Sequence, residues 1–170
     1  HPDDETLGVG GTIKRLSSSK VDVSVLVVSG HTPPIYTQKS YQKTIKESEK
    51  VFNYLGVKKY KFLNIPATKV REVATVDLNN QISGFMSKIN PDTVFIPFPD
   101  RHIDHRVIFD ACAVACRPVS KKFPKNVLIY ETLSETNFNY SYPVFSPNEF
   151  HNITKFIKKN IKKMKIYKRE

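Results

Sequence analysis

Cysteines and acidic side chains are both scarce: the 170 residues hold two cysteines, and 16 Asp and Glu stand against 27 Lys and Arg. Two cysteines exclude a disulfide framework, and a chain without one suits a reducing compartment, so a cytoplasmic location is expected. Cys112 and Cys116 lie four apart in a stretch that reads as helix, which fits a buried apolar face better than a disulfide or a metal knuckle. No apolar run approaches the roughly 18 residues that would suggest a membrane span. An initiator Met and a basic-then-apolar leader are both missing, so no signal peptide is expected. Internal repeats and low-complexity segments are missing too, which excludes a repeat architecture.

What remains describes a globular chain, 39% hydrophobic and 25% charged. Its length suits a single domain over residues 1–170 built around one core. The net charge of +11 is uneven, because eight of the 27 basic residues lie at positions 155 to 169. Up to residue 154 there are 19 basic and 15 acidic side chains, a balance of +4. The terminal segment predicts a basic amphipathic helix at about 153–168, with Ile153, Phe156, Ile157, Ile161 and Met164 on one face and lysines on the other. A solvated helix is the expected reading, and contact with a membrane surface the weaker one. No aromatic stacking platform accompanies the lysines, so nucleic acid is not an expected partner.

Apolar runs at Val21 to Ser29, Tyr60 to Ile65, Thr93 to Phe98 and Val127 to Tyr130 read as strands. Helical patterns run between them, at about Asp4 to Leu16, Gln38 to Leu55, Val76 to Ile89 and His105 to Cys116. This alternation predicts an α/β fold with parallel strands and crossover helices. Near-continuous apolar strands such as Val23 to Val28 imply sheet faces covered on both sides, as in doubly wound folds. Ligands of open α/β sheets gather beyond the carboxyl ends of the strands. His102 to His105 follow one predicted strand. By the same logic His1 should follow a first strand, which is expected to be missing before His1.

Two dense clusters carry the chemistry. His1-Pro2-Asp3-Asp4-Glu5 sets an imidazole and three carboxylates in one turn of chain, and Arg101-His102-Ile103-Asp104-His105 lies about 100 residues on. A catalytic zinc site usually takes three ligands from His, Asp or Glu and keeps a position open for water. His1, Asp4 and His105 supply that set. Zinc lowers the pKa of its water from about 15.7 to about 7, and a neighbouring carboxylate, here Asp3, can take that proton and return it to a leaving amine. His102 could stabilise an oxyanion or protonate the leaving group. Asp104 or Glu5 could hold the free ring N–H of a ligating histidine.

Taken singly, each of these residues has a blander explanation. Asp3 and Asp4 would be ordinary caps for the helix that follows, and a lone His102 or His105 would be a surface or core residue. Two clusters at two predicted strand-to-helix junctions tip the balance towards metal-dependent hydrolysis. His31 and His151 have no such company and are not expected to bind metal. Gly8-Val9-Gly10-Gly11 lacks the spacing of a dinucleotide fingerprint, so close helix packing is the expected use of those glycines.

His1-Pro2-Asp3-Asp4-Glu5-Thr6-Leu7-Gly8, followed by Gly10-Gly11-Thr12-Ile13, resembles the opening motif of the PIG-L/LmbE-like N-deacetylases. Pro99-Asp100-Arg101-His102-Ile103-Asp104-His105 is similar to their second motif, and the likeness runs through Lys46-Glu47-Ser48-Glu49 and Leu55-Gly56-Val57. The resemblance implies a Rossmann-like three-layer αβα sandwich with a mostly parallel sheet. It also implies zinc-dependent removal of an acetyl group from an N-acetylglucosamine conjugate or a related amide, with a small amino sugar as the substrate. Carried over by motif, His1, Asp4 and His105 match the zinc ligands, Asp3 the general base, His102 the histidine that assists at the transition state and Asp104 the supporting acid. Another divalent metal would suit the same set. The family usually has Arg where Lys46 stands, associated with substrate hydroxyls or phosphate; Lys46 keeps the charge but lacks the planar fork.

Two other readings use the same residues. One is a catalytically silent sugar-binding or phosphate-binding module, and the other a hydrolase of phosphoesters, which more often employs two metals. The segments Thr32 to Tyr36 and Ser134 to Pro147 are the expected walls of the pocket, since loops over a rigid sheet usually carry specificity.

Overall fold

The computed structural model describes residues 1–119, 122–138 and 144–167. In chain order its elements are α1 (Asp4–Ser18), β1 (Ser24–Gly30), α2 (Gln38–Leu55), β2 (Lys59–Pro66), α3 (Thr75–Ile89), β3 (Thr93–Pro97), α4 (Ile103–Ala115), β4 (Asn126–Tyr130) and α5 (Ile157–Met164). They fall into two compact units, one made of His1–Ala67 with Ser146–Glu170, the other of Thr68–Phe145. Residue 168 of the expected terminal helix and residues 139–143 of the expected pocket wall lie outside the described residues.

The first unit is organised by α2. The Thr37 hydroxyl accepts the Ser40 N–H at 3.1 Å, which satisfies a backbone donor that a helix start leaves over. Gly56 ends the helix in the left-handed conformation, φ 80, and returns its N–H to Phe52 and Asn53. A Cβ at Gly56 would stand 2.9 Å from the Ser17 side chain, so space and backbone both call for glycine. The inner face of α2 is wholly buried at Val51, Phe52 and Leu55. Val51 and Leu55 cluster with Ile13 of α1, and Phe52 with Val25 and Val27 of β1.

Parallel strands require a crossover, and α2 provides it: β1 pairs parallel with β2, Val25 opposite Tyr60 and Val27 opposite Phe62. Four consecutive residues, Val27 to Gly30, are buried, so both faces at the end of β1 are covered, as its unbroken apolar run implied.

The glycines of α1 serve packing. A Cβ at Gly11 would fall 2.5 Å from the Ile153 Cδ1, and one at Gly10 would fall 2.9 Å from the Asn160 Nδ2. The Asn160 side-chain amide donates to the Thr6 carbonyl at 3.3 Å. α5 is shorter than the sequence predicts, because residues 154–156 form a turn ahead of it. Its buried residue is the polar Asn160, while Ile161 is 56% exposed. The bare surface of α1 at Gly10 lets the Asn160 amide approach, so the inward side of α5 carries a polar residue while Ile161 stays out.

The second unit repeats the βαβ arrangement. β3 and β4 pair parallel from Thr93 opposite Asn126 to Pro97 opposite Tyr130, with α4 in the connection. Leu78 and Ile82 of α3, Ile96 of β3, and Ile108 and Ala111 of α4 are buried, and α3 packs against α4. The fold is α/β with parallel strand pairs and crossover helices. No helix among the described residues is long and apolar enough to cross a membrane.

Candidate metal centre

In the first unit, the opening motif stands where α1 begins. Pro2 is buried against Gly30, at the carboxyl end of β1: a Cβ there would meet the Pro2 Cγ at 3.7 Å. His1 Nδ1 lies 3.1 Å from the Asp4 Oδ2. An ionised carboxylate can only accept, so this contact assigns the proton of a neutral His1 to Nδ1 and the lone pair to Nε2. Asp4 is buried, 7% exposed. One imidazole and one carboxylate therefore sit side by side with donor atoms suited to a divalent cation.

Asp3 occupies the N-cap position, yet its side chain makes no cap hydrogen bond and its backbone is held at φ 120. That conformation is rare for a residue with a Cβ and costs on the order of 1–3 kcal/mol. The ordinary capping role does not account for it. Glu5 is buried and receives the Thr6 hydroxyl at 2.6 Å, the Asp3 N–H at 3.3 Å and the Tyr167 hydroxyl at 3.3 Å. Burial pushes its carboxyl up to about 7 against the lowering effect of the Thr6 bond, with Asp3 and Asp4 adding to the rise. These bonds tie Glu5 to the start of α1 and to Tyr167, where the sequence had offered it to a ligating histidine.

In the second unit, Asp100 organises the other motif. It is fully buried where the chain leaves β3 for α4. Its Oδ1 accepts the His102 N–H at 2.9 Å, and its two oxygens lie 2.9 and 3.0 Å from His105 Nδ1. Burial alone would raise the Asp100 carboxyl, but the hydrogen bond from His105, with bonds from the His102 N–H and Thr136, holds it below its ordinary value. The ionised carboxylate places the proton of a neutral His105 ring on Nδ1 and its lone pair on Nε2, the arrangement in which a histidine binds metal.

His102 carries the opposite tautomer. It caps α4 by accepting the Asp104 N–H on Nδ1 at 3.2 Å, so the proton of the neutral ring is on Nε2. The two rings stand 4.9 Å apart between centroids. One turn of chain thus carries an unprotonated ring nitrogen on His105 and a ring N–H on His102. Asp104, also fully buried, accepts the Thr68 N–H at 2.8 Å on Oδ2. The carboxylate on the His105 ring is Asp100, a residue of the second motif to which sequence reasoning gave no part. The requirement that a ligating histidine have an acceptor behind it was the available signal, and Asp100 was the remaining acid in that stretch.

Lys46 is exposed on α2, and Glu49 accepts the Tyr60 hydroxyl at 3.1 Å. His31 lies against Tyr36, with ring centroids 4.3 Å apart. His151 has Thr12 Oγ1 at 3.2 Å and Glu149 at 3.3 Å. Cys112 and Cys116 are free thiols.

Known proteins bear on these halves. The chain is 31% identical over 122 residues to the diacetylchitobiose deacetylase of Thermococcus kodakarensis, covering 62% of this chain and 42% of that protein. It is 30% identical over 143 residues to the uncharacterized deacetylase YaiS of Escherichia coli, covering 79% of this chain and 71% of that one. Thus it spans less than half of the Thermococcus protein and most of YaiS. Its fold matches the crystal structure of N,N'-diacetylchitobiose deacetylase from Pyrococcus horikoshii with a TM-score of 0.75 at 24% identity, over 98% of this chain and 66% of that one. The family model described as PIG-L, GlcNAc-PI de-N-acetylase, matches residues 1–116, a stretch that takes in both motifs, and the chain belongs to the PIG-L family.

Proposed function

We propose that the protein is a zinc-dependent hydrolase that removes the acetyl group from an N-acetylated amino sugar. The observation that carries this reading is the pair of opposed tautomers in the second motif. His105, with Nδ1 committed to Asp100, offers Nε2 as a ligand, and His102, with Nδ1 committed to the Asp104 N–H, offers an Nε2 proton. His1 and Asp4, adjacent in the first motif, complete the ligand set in this reading. When bound, the metal would supply Lewis acidity, polarising the amide carbonyl and the attacking water.

The remaining chemistry belongs to side chains. Asp3, held out of the ordinary capping conformation, takes a proton from the water as its oxygen bonds to the carbonyl carbon. The His102 Nε2–H donates to the carbonyl oxygen as charge develops there. Asp3 then passes its proton to the nitrogen while the carbon–nitrogen bond breaks, giving acetate and a free amine. Zinc is assigned on the His and carboxylate donors. The substrate class rests on the family and on the relative named diacetylchitobiose deacetylase. Lys46, a cation exposed on α2, is the candidate contact for sugar hydroxyls or a substrate anion. The two free thiols favour a cytoplasmic setting.

Acetate release from N-acetylglucosamine and N,N'-diacetylchitobiose, measured before and after chelation and zinc addition, tests the proposal. Release should stop on chelation and return with metal. Asp3→Asn should keep the metal and lose turnover by a factor of about 100 or more, whereas His105→Ala should lose the metal. Turnover that survives both chelation and Asp3→Asn overturns the mechanism.

A further inference from the structure

Asp100 is itself held from behind. The single turn Thr136–Phe138 follows β4, and its first residue is 7% exposed. The Thr136 hydroxyl lies 2.9 Å from the Asp100 Oδ2, and the Thr132 N–H lies 2.9 Å from the same Thr136 oxygen. Donors and acceptors can run only one way here. The backbone N–H of Thr132 must donate, so the Thr136 oxygen accepts it and turns its own proton to the carboxylate, which can only accept. Asp100 in turn accepts from His105 Nδ1. Thr132, Thr136, Asp100 and His105 thus form one directed chain of hydrogen bonds, and its last three side chains are all buried.

We propose that Thr136 is a positioning residue for the candidate metal ligand His105, acting through Asp100 to fix the ring's tautomer and orientation. Three donors hold the carboxylate: the His102 N–H on one oxygen, the Thr136 hydroxyl on the other, and the His105 ring N–H facing both. Deleting the hydroxyl leaves Oδ2 with one donor fewer in a site closed to water. The carboxylate then turns on its Cβ–Cγ bond, and the ring N–H that points at it loses its fixed acceptor. Groups behind a metal ligand commonly change metal affinity by about 10 to 100-fold. A threonine one step further back should give about tenfold. That His105 binds metal rests on the function proposed above, whereas the chain of hydrogen bonds does not.

Thr136→Val, close in shape but without the hydroxyl, is the test, with Thr136→Ser as the conservative rescue. In metal-free protein, nitrogen NMR of His105 should show the Nδ1–H tautomer in the wild type and in Thr136→Ser, with slow exchange of that proton with water. Exchange should quicken by about tenfold or more in Thr136→Val. Zinc affinity, read by competition with a chromophoric chelator, should fall about tenfold in the valine variant and recover with serine. Glu135→Gln is the control for a merely structural role. Glu135 precedes Thr136 and anchors the same segment by accepting a 2.8 Å bond from Arg101, so this variant should change neither readout. If Thr136→Val does not fold, Thr136→Ala is read in its place. An unchanged His105 proton in the valine variant overturns the inference, as does an equal change in Glu135→Gln. If the wild type binds no zinc, the function proposed above fails, and the exchange rates still decide whether Thr136 fixes the ring.

Discussion

Asp3 is the residue where local strain and proposed chemistry coincide. Its φ of 120 is one that glycine adopts freely and an L side chain does not. Asp3→Gly should therefore relieve the backbone and raise stability by about 1 kcal/mol in a chemical denaturation curve, while abolishing acetate release. A fall in stability of similar size would show that the carboxylate contributes to folding and that the strain reading is wrong. Cys112 gives a second test at this scale. Burial, helped by Cys116, pushes its thiol up to about 12, so at pH 8 only about one molecule in 10,000 carries the reactive thiolate, against roughly a quarter for an ordinary cysteine. Mass spectrometry after iodoacetamide treatment of native protein at pH 8 should find Cys112, half-buried on α4, alkylated far more slowly than in unfolded protein. Labelling as fast as that of a free thiol would refute the burial. The acids and histidines of the candidate site stand out one by one in the sequence, because such residues are dense there. What holds the His105 tautomer does not, because its acceptor Asp100 is itself held by Thr136, 36 residues away in the sequence.

The elements were the most legible level. α2 spans Gln38–Leu55, as its periodicity predicts, and the four strands lie where the apolar runs are. β1 begins at Ser24 rather than Val21, because Lys20 takes a left-handed conformation, φ 64, and the Val21 N–H still closes back on Leu16. α4 begins at Ile103, two residues before the pattern suggests, because the side chain of His102 caps it. The inward side of the terminal segment was legible in part: of the five-residue apolar stripe, Ile153 packs on Gly11 and Phe156 and Met164 are half-buried, while Ile157 and Ile161 are exposed and the polar Asn160 is buried instead. This yields a prediction: in Gly11→Ala the new methyl would lie 2.9 Å from the Ile153 Cβ, which cannot swing aside as a side-chain tip can. The variant should lose about 1–3 kcal/mol, the usual cost of overpacking, even though alanine is the better helix former. Thermal unfolding that is unchanged or raised would contradict the close packing of Ile153 on α1.

At the scale of the whole molecule, the proposed ligands come from distant parts of the sequence, His1 and Asp4 from the opening turn and His105 from α4. A preformed site for them cannot exist in the unfolded chain, so metal binding and folding must be linked. A ligand that binds only the native state at a free concentration 100 times its dissociation constant stabilises it by about 2.7 kcal/mol. For a chain of this length each kcal/mol moves the melting temperature by about 2–4 °C, so zinc should raise it by roughly 5–10 °C over chelated protein. The variants divide by role. His1→Ala and His105→Ala should each erase most of that shift, because either loss leaves two of the proposed protein ligands. Asp3→Asn should keep it, since the proposed base moves a proton and does not hold the metal. Differential scanning calorimetry with and without a chelator reads all four proteins on one scale. A zinc shift that persists in His105→Ala but vanishes in Asp3→Asn would reverse the two assignments.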